Sequence, residues 1–547
     1  MKNTIKFLFA VGIVGITASC TDLDVDVESQ YTEYPSSEIA QEAKLADVYF
    51  HLRGTLGRRY MEAQALSSDE WVGLSFDGGY YDSGTYAHST LHDFSANDAS
   101  LGWYDDVAAG ITKANQAILD MGGNEGGAGV ARARAMRAFY HWILMDSYGD
   151  TPILNSIPED GDVIERKPRA EVAQFIADEL EEIIPQLTTE VSENTYGKPT
   201  RYMAEALLVK LYINWPVYTA SNVTAYDASN YSNDKLNRVV ELCDDIINSG
   251  NFSLTEVGSQ TAGGPSLSNI YRAKFFPNNG PQIKDFIYAM PYDAITQQGF
   301  QYSRPRIWRQ ANKGTSYFGM TLSQSCGGNF SMTPEASNRF TLTGDARNDI
   351  ILAGTIYMHD PTTFVKTTTP YVYNDSPVVL TKEITLKEEN EQLNTGADVN
   401  GWSQGYKSIK YFVVDEDYKN GRNQSNDLPI FRLADIILEK AEAITRGATN
   451  ANGVTAQSLF NQIRSYVGAP QLDHNPSLAE ILEERGRELF DENWRRNDMI
   501  RFGHFEDEYF PHYKNFPTAN FEKTHRIFPI HKDMLDQNPK WTQNAGY

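Results

Sequence analysis

Apolar residues between Ala131 and Pro152 (ARARAMRAFYHWILMDSYGDTP) recur at helical spacing. Met136, Phe139 and Ile143 stand at i, i+3 and i+7, and Tyr140 and Leu144 extend the stripe by one row. A cylinder apolar over more than half its circumference is covered by neighbours on several sides. Arg134, Arg137 and His141 form a second, basic stripe at the same spacing. Gly149 suits the positive-φ position just past a helix, and Pro152 blocks continuation. The pattern predicts the central helix of a helical scaffold.

The same periodicity predicts helices over Ser37–Arg53, Trp103–Met121, Pro168–Leu187, Leu236–Ile247, Ile430–Arg446, Thr455–Tyr466 and Ser477–Phe490. Thr200 is placed to cap a further helix bearing Ala204, Leu207, Leu208, Leu211 and Trp215. Ser477 and Glu480 have the spacing of a capping box, and Glu483 and Arg487 that of a favourable i, i+4 pair. Paired helices joined by short links predict a tetratricopeptide-like scaffold, although no repeat of about 34 residues is evident.

From about Asn251 to Asn426 this periodicity fades. Gly, Asn, Pro, Ser and Thr rise and are interleaved with rings, among them Tyr302, Trp308, Tyr371, Tyr373 and Trp402. Phe286–Met290 and Ser408–Val414 are the strand candidates. Polar loops rich in aromatics on a rigid scaffold are where binding sites tend to lie. The predicted organisation is helical scaffold over 37–250 and 427–547, with a loop-rich, minor-β region over 251–426.

The amino terminus carries Lys2 and Lys6, a short apolar run from Phe7 to Ile16, then Ala18, Ser19 and Cys20. The run is too short to span a bilayer as a helix, so residues 1–19 are expected to be an export signal. Small residues before a cysteine resemble a bacterial lipobox, which makes Cys20 the expected lipidation site. Residues 20–36, with Asp22, Asp24, Asp26 and Glu28, make an acidic tether. Cys243 and Cys326 are the other cysteines, too few for a disulfide framework.

Net charge is −24 over 547 residues, which argues against a nucleic-acid partner and against direct attraction to an anionic bilayer. The glycine-rich stretch Gly122–Gly129 lacks the Lys-Ser/Thr ending of a phosphate loop. No metalloprotease motif, paired Cys-x-x-Cys or nucleophile elbow is present. With 72 acids, a carboxylate pair for glycoside hydrolysis is not excluded by composition.

Five stretches in order resemble the SusD/RagB family of nutrient-binding outer-membrane lipoproteins. They are DSYGDTPI, GKPTRYMAEALLVKLYINWPVYT, IFRLADIILEKAEAI, FNQIRSYVGAP with ILEERGRELFDENWRRNDMIRFG, and HRIFPIHKDMLDQNPKWTQNAGY. The resemblance implies one SusD-like domain over 37–547, with four tetratricopeptide-like helix pairs. It implies a non-enzymatic glycan-binding lipoprotein at the cell surface that delivers its ligand to a SusC-like TonB-dependent transporter. A peptide-binding relative of the RagB type and a secreted glycosidase are the alternatives. Arg485, Glu488, Arg495, Arg496 and Asp498 are expected to be ion pairs and caps between helices.

The resemblance also places a ligand site. SSDEWVGLSFDGGYYDSG is similar to the family loop that carries a ring of the glycan cradle, which nominates Tyr80, Tyr81 and Asp82. The segment after PYDAI nominates Tyr302 or Trp308 as a second ring. Cys326-Gly327-Gly328-Asn329 stands where several relatives have Pro-Trp-Asn-Gly, leaving Asn329 as a candidate at the rim. A structural calcium, present in some relatives, nominates Asp293 and Asp415; no other cofactor is expected.

Overall fold

The computed structural model describes residues 38–77, 85–123, 127–159, 161–254, 271–277, 279–309, 315–388, 392–414, 417–449, 453–508 and 514–547. Helices of eight residues or more are labelled α1 (Glu38–Tyr49), α2 (Arg59–Leu66), α3 (Tyr104–Asp120), α4 (Ala128–Tyr148), α5 (Arg169–Ile183), α6 (Arg201–Ile213), α7 (Leu236–Ile247), α8 (Leu433–Thr445), α9 (Ala456–Tyr466), α10 (Leu478–Glu488) and α11 (Arg495–Phe502). The chain is mostly helical, with small scattered two-stranded sheets.

Helix α4 is the predicted central helix, begun three residues earlier. Every residue from Ala133 to Tyr148 is buried, because α1, α3 and α5 pack around it. Gly149 ends it at φ +76°, and Thr151 then bridges to Lys167. The basic stripe binds this helix to its neighbour. Arg134 and Arg137 both donate to Glu179 of α5, at 3.1 and 2.5 Å, and Arg134 reaches Glu182 at 2.7 Å. A buried guanidinium needs such partners to offset its lost hydration. His141 faces the Arg137 carbonyl through Nδ1 at 2.8 Å and accepts the Leu154 amide on Nε2 at 3.0 Å. Burial pushes its pKa down to about 4, which keeps Nε2 an acceptor.

Thr200 caps α6 by accepting from the Met203 amide at 3.3 Å, and Ser477 and Glu480 form the capping box of α10. The loop-rich middle leaves the scaffold after α7 and returns before α8, yet α7 and α8 pack directly on each other. It is an excursion from a closed helix pair. It carries its own apolar core, with Trp308, Tyr317, Phe318, Ile356, Val378, Phe412 and Val413.

Three local expectations are corrected. Ile430–Arg432 is not helical: Leu428–Arg432 is a strand antiparallel to Phe286–Met290, and α8 starts only at Leu433. Both strands are largely buried, so the ladder satisfies backbone groups that a fraying helix end would leave unpaired. In Ser408–Val414 only Ser408 is in a strand, with Lys407, against Ile351–Leu352. The carbonyls of Tyr411 and Phe412 instead accept from Ser303 Oγ and Asn426 Nδ2. Finally, Arg487 pairs with Glu484 at 3.1 Å rather than with Glu483, which faces Arg339 and Arg495.

The charged words near the carboxy terminus are structural, as expected. Arg485 meets Asp435 and Asp498, each at 2.8 Å, and Arg501 meets Glu442 and Asp498 at 2.8 and 2.7 Å. Glu488 receives Arg347 and Arg432, Arg495 pairs with Asp69, and Arg496 donates to the His525 carbonyl. These groups are almost fully buried, so each charge is matched inside the fold. Cys243 and Cys326 are buried and unpaired.

Candidate ligand site

The segment entering the predicted loop is fixed from both sides. Trp71–Gly73 pairs antiparallel with Phe330–Met332, Trp71 opposite Met332 and Gly73 opposite Phe330. The ladder is extended by Leu74, whose amide donates to the Asn329 carbonyl at 2.8 Å while Asn329 Nδ2 donates to the Leu74 carbonyl at 2.9 Å. On the other side Ser75 exchanges backbone hydrogen bonds with Leu393 and Thr395, each at 3.1 Å. Asp77, at φ +54°, closes the staple. Its amide donates to Asn394 Oδ1, and its carboxylate accepts from Lys387 Nζ at 2.7 and 2.8 Å, Asn394 Nδ2 at 3.0 Å and the Ala397 amide at 3.1 Å. The Lys387 hydrogen bond, helped by the amides, holds the Asp77 carboxyl below the usual carboxylate range.

The segment that grips Asp77 carries straight on to a tryptophan. Asp398 caps the single helical turn Val399–Trp402 by accepting from the Gly401 amide at 2.8 Å, and Thr395 Oγ1 donates to the Gly401 carbonyl at 2.9 Å. Trp402 is half-buried, and so is Tyr373, whose ring centroid lies 5.9 Å away at 71°. Trp308 backs both rings edge-on, at 5.9 Å from Trp402 and 5.1 Å from Tyr373. It is completely buried, and its indole N–H donates to Ser403 Oγ at 3.0 Å. The half-buried Arg309 lays its guanidinium 5.3 Å from the Phe76 ring centroid and 5.2 Å from that of Trp402. The result is a ledge of two partly exposed rings and one cation, joined through the 394–402 segment to Asp77.

The nominated residues fare differently. Tyr80, Tyr81, Asp82, Cys20 and Asp415 lie outside the described residues. Tyr302 is completely buried, stacked on Phe300 at 4.6 Å and hydrogen-bonded through its hydroxyl to Asn493 Nδ2 at 2.6 Å. It packs in the main core and offers no face to a ligand. Trp308 is likewise interior and supports the ledge from behind; among the described rings that touch it, Trp402 and Tyr373 reach solvent. Asn329 is 1% exposed and spends its amide on Leu74. It shapes the loop base and is not at a rim. Asp293 Oδ1 accepts from the Ile295 and Thr296 amides and the Thr296 hydroxyl, which makes it the cap of a tight turn. Among the described residues no group of three or more His, Cys, Asp or Glu converges as a metal site.

Within the Cys326-Gly327-Gly328-Asn329 turn, Gly328 has a steric reason. Gly328 lies at φ +65°, and a β-carbon there would stand 2.6 Å from the Ile307 carbonyl and 2.7 Å from the Arg309 amide. Bare backbone lets this turn press against the residues that carry the ledge. Lys407 ties the turn from below, with Nζ donating to the carbonyls of Gly328 and Phe330 and to Ser331 Oγ at 2.7–2.9 Å. Sequence reasoning grouped Trp402 and Tyr373 with the other rings of the middle region and could not separate them. The available signal was local: Asp398 two residues before Asn400-Gly401 marks a short capped turn that would lift the next ring outward.

Comparison with known proteins agrees with this architecture. Residues 284–547 match the SusD family. The starch-binding protein SusD of Bacteroides thetaiotaomicron is 22% identical over 437 residues, covering 76% of this chain and 72% of that protein. The surface glycan-binding protein A of the same species, solved with laminarihexaose, superposes with a TM-score of 0.66 at 17% identity, over 93% of this chain and 99% of the other. A SusD-like protein of Bacteroides fragilis superposes with a TM-score of 0.68 at 17% identity, over 95% and 99%.

Proposed function

Taking this SusD-like chain as the premise, we propose that it is a non-enzymatic glycan-binding lipoprotein. It captures oligo- or polysaccharide at the cell surface and passes it to a SusC-like TonB-dependent transporter. The observation that carries the reading is the ledge of Trp402 and Tyr373, backed by Trp308 and stapled to Asp77. Sugars present apolar C–H faces edged by hydroxyls, so they are held by rings beside fixed polar groups. The names of its relatives, starch-binding SusD and a glycan-binding protein solved with laminarihexaose, support the same ligand class.

A binding role fits the chemistry of the ledge. Asp77 and Asp398 are the described carboxylates built into it. Asp77 is committed to Lys387 with its pKa held down, and Asp398 caps Gly401. A glycosidase needs one carboxyl kept protonated at the scissile bond and a second opposite it. No helix of the described residues is long and apolar enough to cross a membrane. Attachment through a lipidated Cys20 would supply surface retention and raise the effective concentration at the transporter. The test is calorimetry of the mature protein against a panel of soluble glycans, with copurification from detergent extracts alongside. Binding to at least one glycan and recovery of a large TonB-dependent barrel are expected. Release of reducing ends during incubation, or no binding across the panel, would sink the reading.

A further inference from the structure

We propose that Asn420 is a site of spontaneous chemical modification: the Gly421 nitrogen closes a succinimide ring on its side-chain amide, and water then leaves aspartate or isoaspartate. The chain holds the Asn-Gly dipeptide four times, at Asn279, Asn400, Asn420 and Asn452. The dipeptide alone ranks them equally, because glycine puts no side chain in the way of its own nitrogen. The fold separates them. Asn279 is buried with its side chain fully engaged: Nδ2 donates to the carbonyls of Lys274 and Asp427 at 2.8 and 3.1 Å, and Oδ1 accepts the Asp427 amide at 2.6 Å. At Asn400 the nucleophile is taken, since the Gly401 amide donates to Asp398 Oδ1 at 2.8 Å inside a capped helical turn. Asn452 lies outside the described residues. At Asn420 both reacting groups are open. Asn420 and Gly421 are exposed, and neither the Asn420 side chain nor the Gly421 amide hydrogen-bonds to a described residue.

The step balances with water alone. The Gly421 N–H gives its proton to solvent, and the nitrogen bonds to Asn420 Cγ. The Cγ–Nδ2 bond breaks, and Nδ2 takes up a proton and departs as ammonia. Water then opens the ring. Attack at Cγ breaks the new bond and leaves aspartate on the original backbone. Attack at the α-carbonyl carbon breaks the original peptide bond and leaves isoaspartate, with the backbone rerouted through Cβ and Cγ. Either product adds a negative charge, and isoaspartate also lengthens the main chain by a methylene. The loop has no slack for it. The Asn420 carbonyl accepts from Asn423 Nδ2 at 2.7 Å, and the Tyr418 amide donates to the Asn423 carbonyl at 3.1 Å. Asn423 Oδ1 in turn accepts the Gly299 amide at 3.1 Å, and Arg422 Nε donates to the Ser325 carbonyl at 2.6 Å. Modification at Asn420 therefore loosens a joint that ties this loop to two other segments of the middle region.

The experiment is ageing of the folded mature protein at mildly alkaline pH, followed by peptide mapping, isoaspartate labelling and a melting curve. A sample aged in denaturant runs alongside. In the folded protein the peptide holding Asn420-Gly421 is expected to convert, with isoaspartate detected, while those holding Asn279 and Asn400 keep their amides until the chain is unfolded. The aged wild type should melt lower than fresh protein, and Asn420→Gln, whose longer side chain closes a ring far less readily, should hold its melting temperature through the same treatment. If Asn420→Gln does not fold, the wild-type peptide map decides alone. An intact Asn420 in folded protein, where the denatured sample converts, overturns the inference. Conversion of Asn279 or Asn400 in folded protein as fast as Asn420 also overturns it.

Discussion

Asn329 and Leu74 are joined twice, once through the Asn329 carbonyl at 2.8 Å and once through its side-chain amide at 2.9 Å. One buried side chain thus continues a three-residue ladder past its end. Asn329→Ala removes one hydrogen bond and strands the Leu74 carbonyl, at a cost of about 1–3 kcal/mol. Chemical denaturation should show that loss, and calorimetry a weaker affinity through a shifted loop base. Full stability with abolished binding would mean that Asn329 touches ligand directly.

The rings of the ledge should divide sharply from the rings of the core. Tyr373→Ala and Trp402→Ala are expected to weaken glycan binding, each by about 1–3 kcal/mol if sugars stack as bases do on aromatics. Tyr81→Ala should behave alike. Tyr302→Phe, which loses only the hydroxyl bonded to Asn493, should bind like wild type with a lower melting temperature. Wild-type affinity in Tyr373→Ala, Trp402→Ala and Tyr81→Ala would place the site elsewhere.

Lys407 makes stability depend on pH in a defined direction. Burial lowers its pKa from 10.5 to about 7. Below pH 7 the ammonium is charged in both states, and the fold carries the full cost of burying it. Between about pH 7 and 10.5 the folded state has shed the proton while the unfolded state keeps it, so stability rises with pH across that window. The gain is on the order of 5 kcal/mol as an upper bound. Lys407→Met should lose this slope, so its stability relative to wild type should fall steadily from pH 7 to 10. Parallel curves would mean that Lys407 keeps an ordinary pKa.

The carboxy-terminal ion pairs should affect folding and spare recognition. Arg485→Ala removes one of the two cations at each buried acid, leaving Asp435 only Lys210 and Asp498 only Arg501, a loss of about 3–5 kcal/mol. Melting curves should shift down while the surviving folded protein binds ligand with unchanged affinity. A stable variant that no longer binds would assign this cluster a role at the site.

Legibility from sequence followed the source of order. Where local hydrogen bonds decide the structure, the sequence was sufficient. Thr200 and Ser477 cap the helices they were assigned, and Gly149 ends α4 where a positive φ is needed. Phe286–Met290 is the strand its β-branched and aromatic run predicts, but Ile430–Arg432 became its partner by tertiary pairing that a helical period could not reveal. The middle region has no period, so nothing local tells a ring that faces solvent from one that does not. Trp308 and Trp402 read alike on paper. Only the folded chain turns the first inward onto Ser403 and leaves the second half out.

The scaffold also constrains the order in which the protein can mature. Asn214 at the end of α6 receives Arg501, 287 residues further along, and Asp244 of α7 receives Lys440, 196 residues further along. Until those distant segments exist, Asn214 Oδ1 lacks Arg501 and the Asp244 carboxylate lacks Lys440, and burying them without those cations would be penalised. Contacts of such long span reward the chain only after their loops have closed. A ribosome emitting this polypeptide is therefore expected to release a chain whose α6 and α7 contacts close only when its last portion arrives. A nascent fragment cut short before α8 should stay sensitive to protease, and a chain in that state is the form a secretion channel can thread.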